Sequence, residues 1–289
     1  MNDTDMVKKN ARPVTLIAGC GDVGSRLALQ LQGAGHRVYG LRRSIAALPE
    51  GVFPIAADLS SGDLGEWPDH IDYVVYSAAA EHRTEDAYRK IYVESLMDVV
   101  GKIKSYPQLP KRIFFTSSTA VYHQQNDEWV DELSESHPKT FNGQIMLEAE
   151  RLLLDSGLPA TVVRFGGIYG PGRSAMLSRI QRGEVYAREP VCFGNRIHAD
   201  DCAGLLAWLI GLDRKNFSVQ SLYLGVDCDP APLGEVTHWL AELMGIQPTA
   251  EVVAEHRGSK RCSNQRIVEA GYPFQYPSYK EGYRALLDD

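Results

Sequence analysis

The chain has 289 residues, enough for one large α/β domain or for a main domain with a smaller companion. Hydrophobic residues make up 44% of it and charged residues 23%, as in ordinary soluble globular proteins. Its net charge of −7 and its pI near 5.7 argue against a nucleic acid as a main partner, because a nucleic-acid backbone is bound by a basic face.

Five cysteines are scattered along the chain without a C-x-x-C pair, which is typical of reduced thiols in a cytoplasm. No stretch approaches the roughly 20 apolar residues of a membrane span. The N-terminal sequence MNDTDMVKKNARP lacks the apolar core of a signal peptide. The histidines show neither H-x-x-x-H nor H-E-x-x-H spacing, so we expect no metal site. We predict a cytoplasmic location.

Short apolar runs alternate with longer helical patterns, which favours βαβ units. We predict strands at 14–19, 37–41, 52–57, 72–78, 112–118 and 160–165, with helices at 23–34, 86–105 and 144–156. Runs such as DYVVYSA are apolar at both alternating sets of positions, as expected of strands buried on both faces. The pattern predicts a doubly wound parallel sheet, the Rossmann fold.

The alternation of short apolar runs with longer helical patterns becomes less regular after YGPG (169–172). There we predict helices near 174–182, 200–212, 232–244 and 278–287, with short strands near 219–224 and 251–254. These elements indicate a smaller, interleaved C-terminal α/β lobe. We therefore predict a Rossmann domain over 12–170, with returning elements near 194–225, and a smaller lobe over 171–289.

The first strand leads directly into a helix through Gly19-x-Gly21-x-x-Gly24. In a dinucleotide site the first glycine permits the tight turn, the second lets the backbone approach a pyrophosphate, and the third allows close helix–sheet packing. The free N–H groups at the start of the helix then hold the phosphates. The strand, helix and second strand follow at the spacing of a βαβ unit. We predict dinucleotide binding here, with Asp22 and Val23 in the same turn.

The second strand ends in Leu41-Arg42-Arg43, where an NAD-binding protein usually carries an acidic residue. Guanidinium groups suit a 2′-phosphate, so the sequence favours NADP over NAD. The alternative is that both arginines solvate a loop. Further cofactor contacts are expected at the ends of the third and fourth strands, from Asp58, Leu59, Ser77, Ala78 and Ala79.

With the segments AADL, YSAAA, RIFFTSSTAVY, MLEAERLL, TVVRFGGIYGPG and RIHADDCA added, nearly the whole chain resembles the extended short-chain dehydrogenase/reductase superfamily. It is most similar to NAD(P)-dependent epimerases and dehydratases that act on nucleotide sugars. One departure is Ala18, which replaces the first glycine of that branch's usual G-x-x-G-x-x-G.

This resemblance implies a catalytic Ser or Thr, a Tyr-x-x-x-Lys pair and a nearby Asn. Ser118 lies where the serine is expected. Asn142 and Met146 stand at the tyrosine and lysine positions, and Tyr92 at the asparagine position. An amide cannot shuttle a proton near neutral pH and a thioether carries no charge. The chain therefore resembles atypical members that lack Tyr-x-x-x-Lys.

Two residues that follow Ser118 offer relocated acid–base chemistry. Tyr122 carries a phenol, and His123 has a suitable ordinary pKa. The alternative for Tyr122 is a packing role, because the tyrosine of STAVY is widespread in ordinary family members. The segment Glu81-His82-Arg83 is a weaker candidate to face the cleft.

The resemblance also implies residues around the substrate. Gly167 belongs to the turn that frames the nicotinamide side of the pocket, and Arg173 follows that turn. Arg257 and Arg261 are candidates for the diphosphate of a nucleotide sugar, with a solvated loop as the alternative. His198 and Asp201 are expected to tie the lobes together by hydrogen bonds. Family members often form homodimers through the helices that are here 86–105 and 144–156.

Three functions remain open from the sequence. The first is an epimerase, dehydratase or reductase of a sugar or nucleotide-sugar-like substrate that uses non-standard catalytic residues. The second is an NADP(H)-binding sensor or partner-binding protein without redox turnover. The third is a non-redox enzyme that keeps the cofactor as a structural element.

Overall fold

A computed structural model describes residues 12–254 and 258–288. Most of the N-terminal segment in which we predict no signal peptide lies outside these residues, as does the predicted diphosphate ligand Arg257. Within the described part of the chain, none of the helices combines the length and apolarity that crossing a membrane requires.

Strands and helices alternate through the first part of the chain. The elements in order are β1 (Val14–Ala18), α1 (Asp22–Gly33), β2 (Arg37–Arg42), β3 (Phe53–Ala56), β4 (Tyr73–Tyr76), α2 (Glu85–Tyr88), a π-helical segment (Arg89–Glu94), α3 (Ser95–Lys104), β5 (Arg112–Ser118), β6 (Asn126–Val130), α4 (Phe141–Leu154) and β7 (Ala160–Phe165). The remainder comprises β8 (Gly167–Tyr169), α5 (Ala175–Gln181), β9 (Glu184–Tyr186), β10 (Arg196–His198), α6 (Ala199–Arg214), β11 (Leu222–Gly225), α7 (Leu233–Leu243), β12 (Ala250–Val252), β13 (Ser259–Cys262), α8 (Gln265–Glu269) and α9 (Tyr279–Asp288).

Seven strands form a parallel sheet in the order β11-β7-β5-β4-β1-β2-β3. The six strands predicted from apolar runs are all members of it, and β11 is the seventh. Since every residue of β4 and of β7 is buried, these strands are apolar on both faces, as the sequence indicated. The predicted doubly wound Rossmann fold is confirmed.

The chain forms two compact units. The first consists of the chain up to Thr116, Glu148–Val162 and Leu206–Ser221; the second consists of Ser117–Leu147, Val163–Leu205 and the chain from Leu222 onward. This division interleaves the sequence more finely than our predicted boundary at residues 170 and 171, and that boundary stays a prediction.

The helix in the first unit that precedes β5 is interrupted by the π-helical segment Arg89–Glu94. A π turn leaves backbone carbonyls without their usual helical partners. Here the Tyr76 hydroxyl donates to the Ile91 carbonyl at 2.5 Å, and the Ser95 hydroxyl donates to the Lys90 carbonyl at 2.7 Å. Tyr92, which the sequence resemblance places at the position of a catalytic asparagine, lies inside this segment.

The second unit contains three small parallel sheets that the sequence did not predict in full: β8 with β10, β9 with β12, and β6 with β13. Of these six strands only β12 overlaps a predicted one. The others have three to five residues, and several carry charged side chains, so they lack the apolar alternation by which strands are found.

Candidate functional site

The turn between β1 and α1 lies in the first unit and has the form expected of a phosphate cradle. The amides of Gly19 and Cys20 donate to the Leu41 carbonyl at 3.1 and 2.9 Å, which fixes the turn against the end of β2. Helix α1 begins at Asp22 with Gly21 at its N-cap, and no side chain caps its first turn. Uncapped N–H groups at a helix start are suited to bind an anion.

Gly19 and Gly24 are required by close approach, whereas Gly21 borders open space. Gly19 has φ of +86°, and a Cβ there would lie 2.4 Å from the backbone of Ala78. A Cβ on Gly24 would lie 3.0 Å from the Gly19 carbonyl. Nothing lies within 4 Å of a Cβ built on Gly21, so a ligand can reach the backbone there. Each glycine therefore has the property that dinucleotide binding demands of it.

The two arginines that end β2 have different surroundings. Arg42 donates through one terminal nitrogen to the Cys20 and Ala47 carbonyls, both at 3.1 Å. Arg43 forms an ion pair with Glu81 at 3.1 Å, and both side chains are more than 60% exposed. Such an exposed pair contributes little stability, so the Arg43 guanidinium can exchange Glu81 for a phosphate at small cost.

The residues expected after β3 and β4 lie in the same unit. Asp58 accepts hydrogen bonds from the Ser60 amide (3.0 Å) and hydroxyl (2.6 Å); these bonds lower the pKa of its carboxyl. Leu59, which follows, is buried. The Ser77 amide donates to the Ala18 carbonyl at 2.8 Å, which joins the end of β4 to the end of β1. Ser77 and Ala78 are half-buried and Ala79 is exposed.

These loops fit a dinucleotide because their contacts bring the ends of β1, β2 and β4 together around an uncapped helix start. Gly21 would face the pyrophosphate, with Gly19 and Gly24 shaping the turn around it, and Arg43 would face a ribose phosphate. Individual contacts to the cofactor stay predictions, as does the preference for NADP.

Ser118 ends β5 and begins the loop in the second unit that carries our catalytic candidates. Its hydroxyl oxygen accepts a hydrogen bond from the Ala120 amide at 3.2 Å, which caps the short 3₁₀ turn Thr119–Val121. Its own proton is not needed for this bond. The hydroxyl can therefore still donate to a substrate oxygen.

Tyr122 is buried, with 4% of its surface exposed. Its hydroxyl donates to the Asp131 carbonyl at 2.7 Å, and the Arg164 guanidinium lies 4.8 Å from the centre of its ring. Burial raises the pKa of this phenol above its ordinary value, although Arg164 opposes the rise. These contacts favour the packing alternative, and a catalytic Tyr122 stays a prediction.

His123 is half-buried, and its Nδ1 is buried without a hydrogen-bond partner among the described residues. Its ring lies 5.4 Å from that of His137, a mostly exposed side chain. A buried ring nitrogen without a partner costs free energy unless a ligand or water completes it. His123 therefore keeps its place as a catalytic candidate.

Helix α4 begins beside the Ser118 loop. A Cβ on Gly143 would lie 2.5 Å from the Ala120 carbonyl, so only glycine permits this close approach. Asn142 is half-buried and Met146 is 4% exposed. The two positions at which the sequence resemblance predicts tyrosine and lysine thus hold an amide and a buried thioether.

Gly167 begins β8 and donates to the Asn195 carbonyl at 2.8 Å. The Asn195 side chain in turn donates to the Lys260 carbonyl at 2.9 Å and accepts from the Cys262 amide at 2.7 Å. Asn195, which our sequence interpretation missed, therefore links β8 to β13. Arg173 is exposed, and its amide donates to the Gly170 carbonyl at 3.0 Å.

Arg261 lies on β13, whereas a solvated loop is the alternative that the sequence leaves open for this stretch. Its guanidinium carbon is 5.0 Å from the centres of both the Trp129 and the Phe193 rings, and its Nε donates to the Asp127 carbonyl at 2.9 Å. The ring contacts and this bond hold the guanidinium in place, and among the described residues no hydrogen bond or ion pair engages its terminal nitrogens. A role in diphosphate binding stays a prediction.

Asp201 is fully buried at the start of α6. One carboxylate oxygen accepts from the Tyr272 hydroxyl and the Gln275 amide, and the other from the Tyr276 amide, each at 2.8 Å. The His198 ring packs against Tyr276 with 4.0 Å between ring centres. Within the second unit both residues therefore hold the C-terminal segment rather than face a ligand. Their expected role between lobes is untested.

The part of the chain that the structure describes contains no group of three or more His, Cys, Asp or Glu residues able to hold a metal ion.

Comparison with curated proteins gave no match. Residues 15–216 match the NAD-dependent epimerase/dehydratase family.

Among solved structures, a candidate NAD-dependent epimerase/dehydratase from Methylobacillus flagellatus is 36% identical to the chain, with 96% of this chain and 98% of the other covered and a TM-score of 0.77. MoeE5 in complex with UDP-glucose and NAD is 22% identical, with coverage of 96% and 97% and a TM-score of 0.77. Human epimerase family protein SDR39U1 with NADPH is 19% identical, with coverage of 96% and 99% and a TM-score of 0.77. The last two likenesses show the fold alone. The match over most of the chain and the 36% identity together establish that the chain belongs to the NAD-dependent epimerase/dehydratase family.

Proposed function

We propose that this protein binds NADP and acts on a sugar or nucleotide-sugar substrate with catalytic groups other than Tyr and Lys. The observation that carries the proposal is the cradle at Gly19, Gly21 and Gly24, whose helix start is uncapped and whose central glycine borders open space. When bound, NADP(H) supplies the hydride chemistry of this family.

The preference for NADP rests on Arg43. Its present partner Glu81 is exposed, and this kind of ion pair is readily exchanged. Arg42 is fixed on two backbone carbonyls and shapes the loop. Arg43 therefore supplies the cation for a 2′-phosphate, and no acidic residue stands at the end of β2 to favour a free ribose hydroxyl.

A nucleotide sugar is proposed as the substrate because the family includes enzymes of such sugars, and MoeE5, which shares the fold, was solved with UDP-glucose. In this chain Arg261 is positioned between two aromatic rings with terminal nitrogens available for a diphosphate. Arg173, exposed beyond the β8 turn, and Arg257 are further proposed contacts.

We assign substrate positioning to Ser118 and proton transfer to His123. The Ser118 proton is available because its oxygen, not its hydrogen, caps the following turn. His123 has a buried Nδ1 without a partner in the described chain, whereas the Tyr122 hydroxyl is engaged by Asp131. A positioned general acid or base contributes about 10²- to 10⁴-fold to a rate.

A second candidate function, NADP(H) sensing without turnover, is favoured by a specific observation. The tyrosine and lysine positions hold Asn142 and buried Met146, and neither group can exchange a proton near neutral pH. In this case the protein binds the dinucleotide tightly and transmits its binding to a partner.

Titration with NADPH and NADH, followed by nicotinamide fluorescence, tests both functions. We expect NADPH to bind at least about tenfold more tightly than NADH, as one charge-assisted contact would give. Absence of binding of either dinucleotide at millimolar concentration would overturn both.

Turnover of UDP-glucose and UDP-glucuronic acid, followed by chromatography of the products, separates the two functions. If the protein is an enzyme, Ser118→Ala and His123→Gln lower kcat by about 10²-fold or more. His137→Gln is the matched control, because it alters the adjacent exposed ring. Tight NADPH binding without product from a broad panel of sugar nucleotides would favour the sensor.

A further inference from the structure

Tyr92 is a half-buried phenol in the π-helical segment Arg89–Glu94, and neither the cradle nor the catalytic candidates account for it. A π turn contains one residue more than a regular helical turn, and such turns are frequent at functional sites. The bond from the Tyr76 hydroxyl to the Ile91 carbonyl holds this segment against the last residue of β4. Tyr92 therefore lies at the carboxyl edge of the parallel sheet.

The Tyr92 hydroxyl is anchored to the loop that follows β4. Burial raises the pKa of this phenol, the neighbouring Tyr88 phenol adds to the rise, and a hydrogen bond from the Ala80 backbone lowers it. A bond that lowers the pKa of a phenol stabilises its oxygen, so the Ala80 N–H donates and the Tyr92 oxygen accepts. The phenol keeps its own proton near neutral pH, and no acceptor among the described residues receives that proton.

The same loop contacts the dinucleotide cradle. A Cβ on Gly19 would lie 2.4 Å from the Ala78 backbone, and the Ser77 amide donates to the Ala18 carbonyl at 2.8 Å. The loop after β4 thus connects the turn at Gly19 with the hydroxyl of Tyr92. All of these residues belong to the first unit.

The order of the strands indicates which half of a dinucleotide Tyr92 would meet. Strands β2 and β3 lie on one side of β1, and β4 and β5 lie on the other. The pyrophosphate is proposed at the turn after β1, and the 2′-phosphate of the adenosine half at Arg43, which follows β2. A dinucleotide that crosses the ends of the strands then extends its nicotinamide half toward the loop after β4.

We propose that Tyr92 is a cofactor-binding residue whose hydroxyl donates to an oxygen of the nicotinamide half of NADP(H), either a ribose hydroxyl or the carboxamide oxygen. The Ala80 N–H fixes the phenol oxygen, so its proton is left for the ligand. Such a contact compensates for Met146, because a thioether donates no hydrogen bond at the position where the sequence resemblance predicts a lysine. The inference rests on the proposed function and assigns a residue to the reactive half of its cofactor.

Calorimetric titration of the full chain with NADPH and with 2′,5′-ADP, the adenosine half alone, tests this assignment. Tyr92→Phe keeps the ring that packs against Tyr88 and removes only the hydroxyl. We expect Tyr92→Phe to weaken NADPH binding about fivefold or more, because one hydrogen bond to the ligand is lost. The affinity for 2′,5′-ADP should not change, since this ligand lacks the nicotinamide half.

Tyr106→Phe is the matched control. The Tyr106 hydroxyl donates to the Pro68 carbonyl at 3.0 Å, so this substitution also removes a phenol that the first unit uses in a hydrogen bond. Tyr106 follows α3 and precedes β5, and it therefore lies at the opposite, amino edge of the sheet. Tyr106→Phe should bind both ligands as wild type does.

A third ligand, 2′-phospho-ADP-ribose, distinguishes the two acceptors, because it carries the second ribose but no nicotinamide. If Tyr92→Phe weakens binding of this ligand and of NADPH alike, the acceptor is a ribose hydroxyl. If it weakens NADPH alone, the acceptor is the carboxamide oxygen.

Equal NADPH affinities of Tyr92→Phe and wild type would overturn this inference and leave the proposed cofactor function standing. An equal loss of affinity for NADPH and 2′,5′-ADP would also overturn it, because a general disturbance of the fold weakens both halves alike. If wild type binds neither ligand, the proposed function fails and this inference fails with it.

Discussion

Replacing Asp227 by asparagine should stabilise the protein increasingly as the pH rises. Asp227 follows β11 and is 1% exposed. One carboxylate oxygen accepts from the Asp229 amide at 3.2 Å, and the other has no hydrogen-bond partner among the described residues. Burial raises its pKa from 3.8 to about 8; the Arg196 guanidinium opposes this rise, and the carboxylates of Asp229 and Asp201 add to it.

The sign follows from which state holds the proton. Between about pH 4 and about pH 8 the unfolded chain has lost the Asp227 proton while the folded protein keeps it. Below the pKa that Asp227 has in the unfolded chain, both states hold the proton and the stability is at its full value. This stability is therefore lost as the pH rises toward the pKa that Asp227 has in the folded protein. The slope is at most about 1.4 kcal/mol per pH unit, or about 3 kcal/mol between about pH 5 and about pH 7. Asparagine does not titrate, so Asp227→Asn escapes this loss.

Denaturant unfolding followed by tryptophan fluorescence, at several pH values, measures the difference in free energy of unfolding between Asp227→Asn and wild type. We expect it to grow with pH by about 1 kcal/mol or more per unit. Asp58→Asn is the control: hydrogen bonds from Ser60 lower the Asp58 pKa, so this carboxylate is ionised in both states over the same range. A constant or falling difference for Asp227→Asn would refute the reasoning.

Three further substitutions test the cradle, the cofactor preference and the role of the phenol. Gly19→Ala should abolish NADPH binding in a titration and lower the free energy of unfolding by about 2 kcal/mol or more, because its Cβ meets the Ala78 backbone at a positive φ. Arg43→Gln should weaken NADPH about tenfold without weakening NADH, whereas Glu81→Gln retains NADPH affinity; equal losses for both dinucleotides would exclude Arg43 as the 2′-phosphate ligand. Tyr122→Phe should cost about 1 kcal/mol of unfolding free energy for the lost bond to Asp131 and leave any turnover intact, and a loss of turnover of about 10²-fold would return Tyr122 to the catalytic group.

The parts of the fold that could be predicted are those in which local pattern and tertiary structure agree. The β1–α1 turn is recognisable because Gly19, Gly21 and Gly24 each meet a backbone requirement that leaves a trace in the sequence. Strands such as β4 and β7 were found because burial on both faces requires continuous apolar runs.

The features that could not be predicted depend on contacts between segments that are distant in the sequence. Strand β13 exists because it pairs with β6 about 130 residues earlier, and its residues Ser-Lys-Arg-Cys show no apolar alternation. We therefore selected Arg261 from this stretch by its charge alone, without a strand on which to place it. In the same way, the Tyr122 bond to Asp131 has no signature in a single sequence, and neither has the Asp227 oxygen, which lacks a hydrogen-bond partner in the described part of the chain.

The π-helical segment Arg89–Glu94 connects α2 to α3 and sets the rotation of α3 about the helix axis relative to α2. One additional residue turns everything that follows by about 100° about the helix axis. The residues that α3 buries, among them Leu96, Val99 and Ile103, thus point inward at an angle that α2 does not set. Removing a single residue from the segment would leave a regular helix of nearly unchanged composition whose apolar stripe no longer faces the core. The direction in which the apolar face of α3 points therefore depends on the number of residues in this segment rather than on their identity.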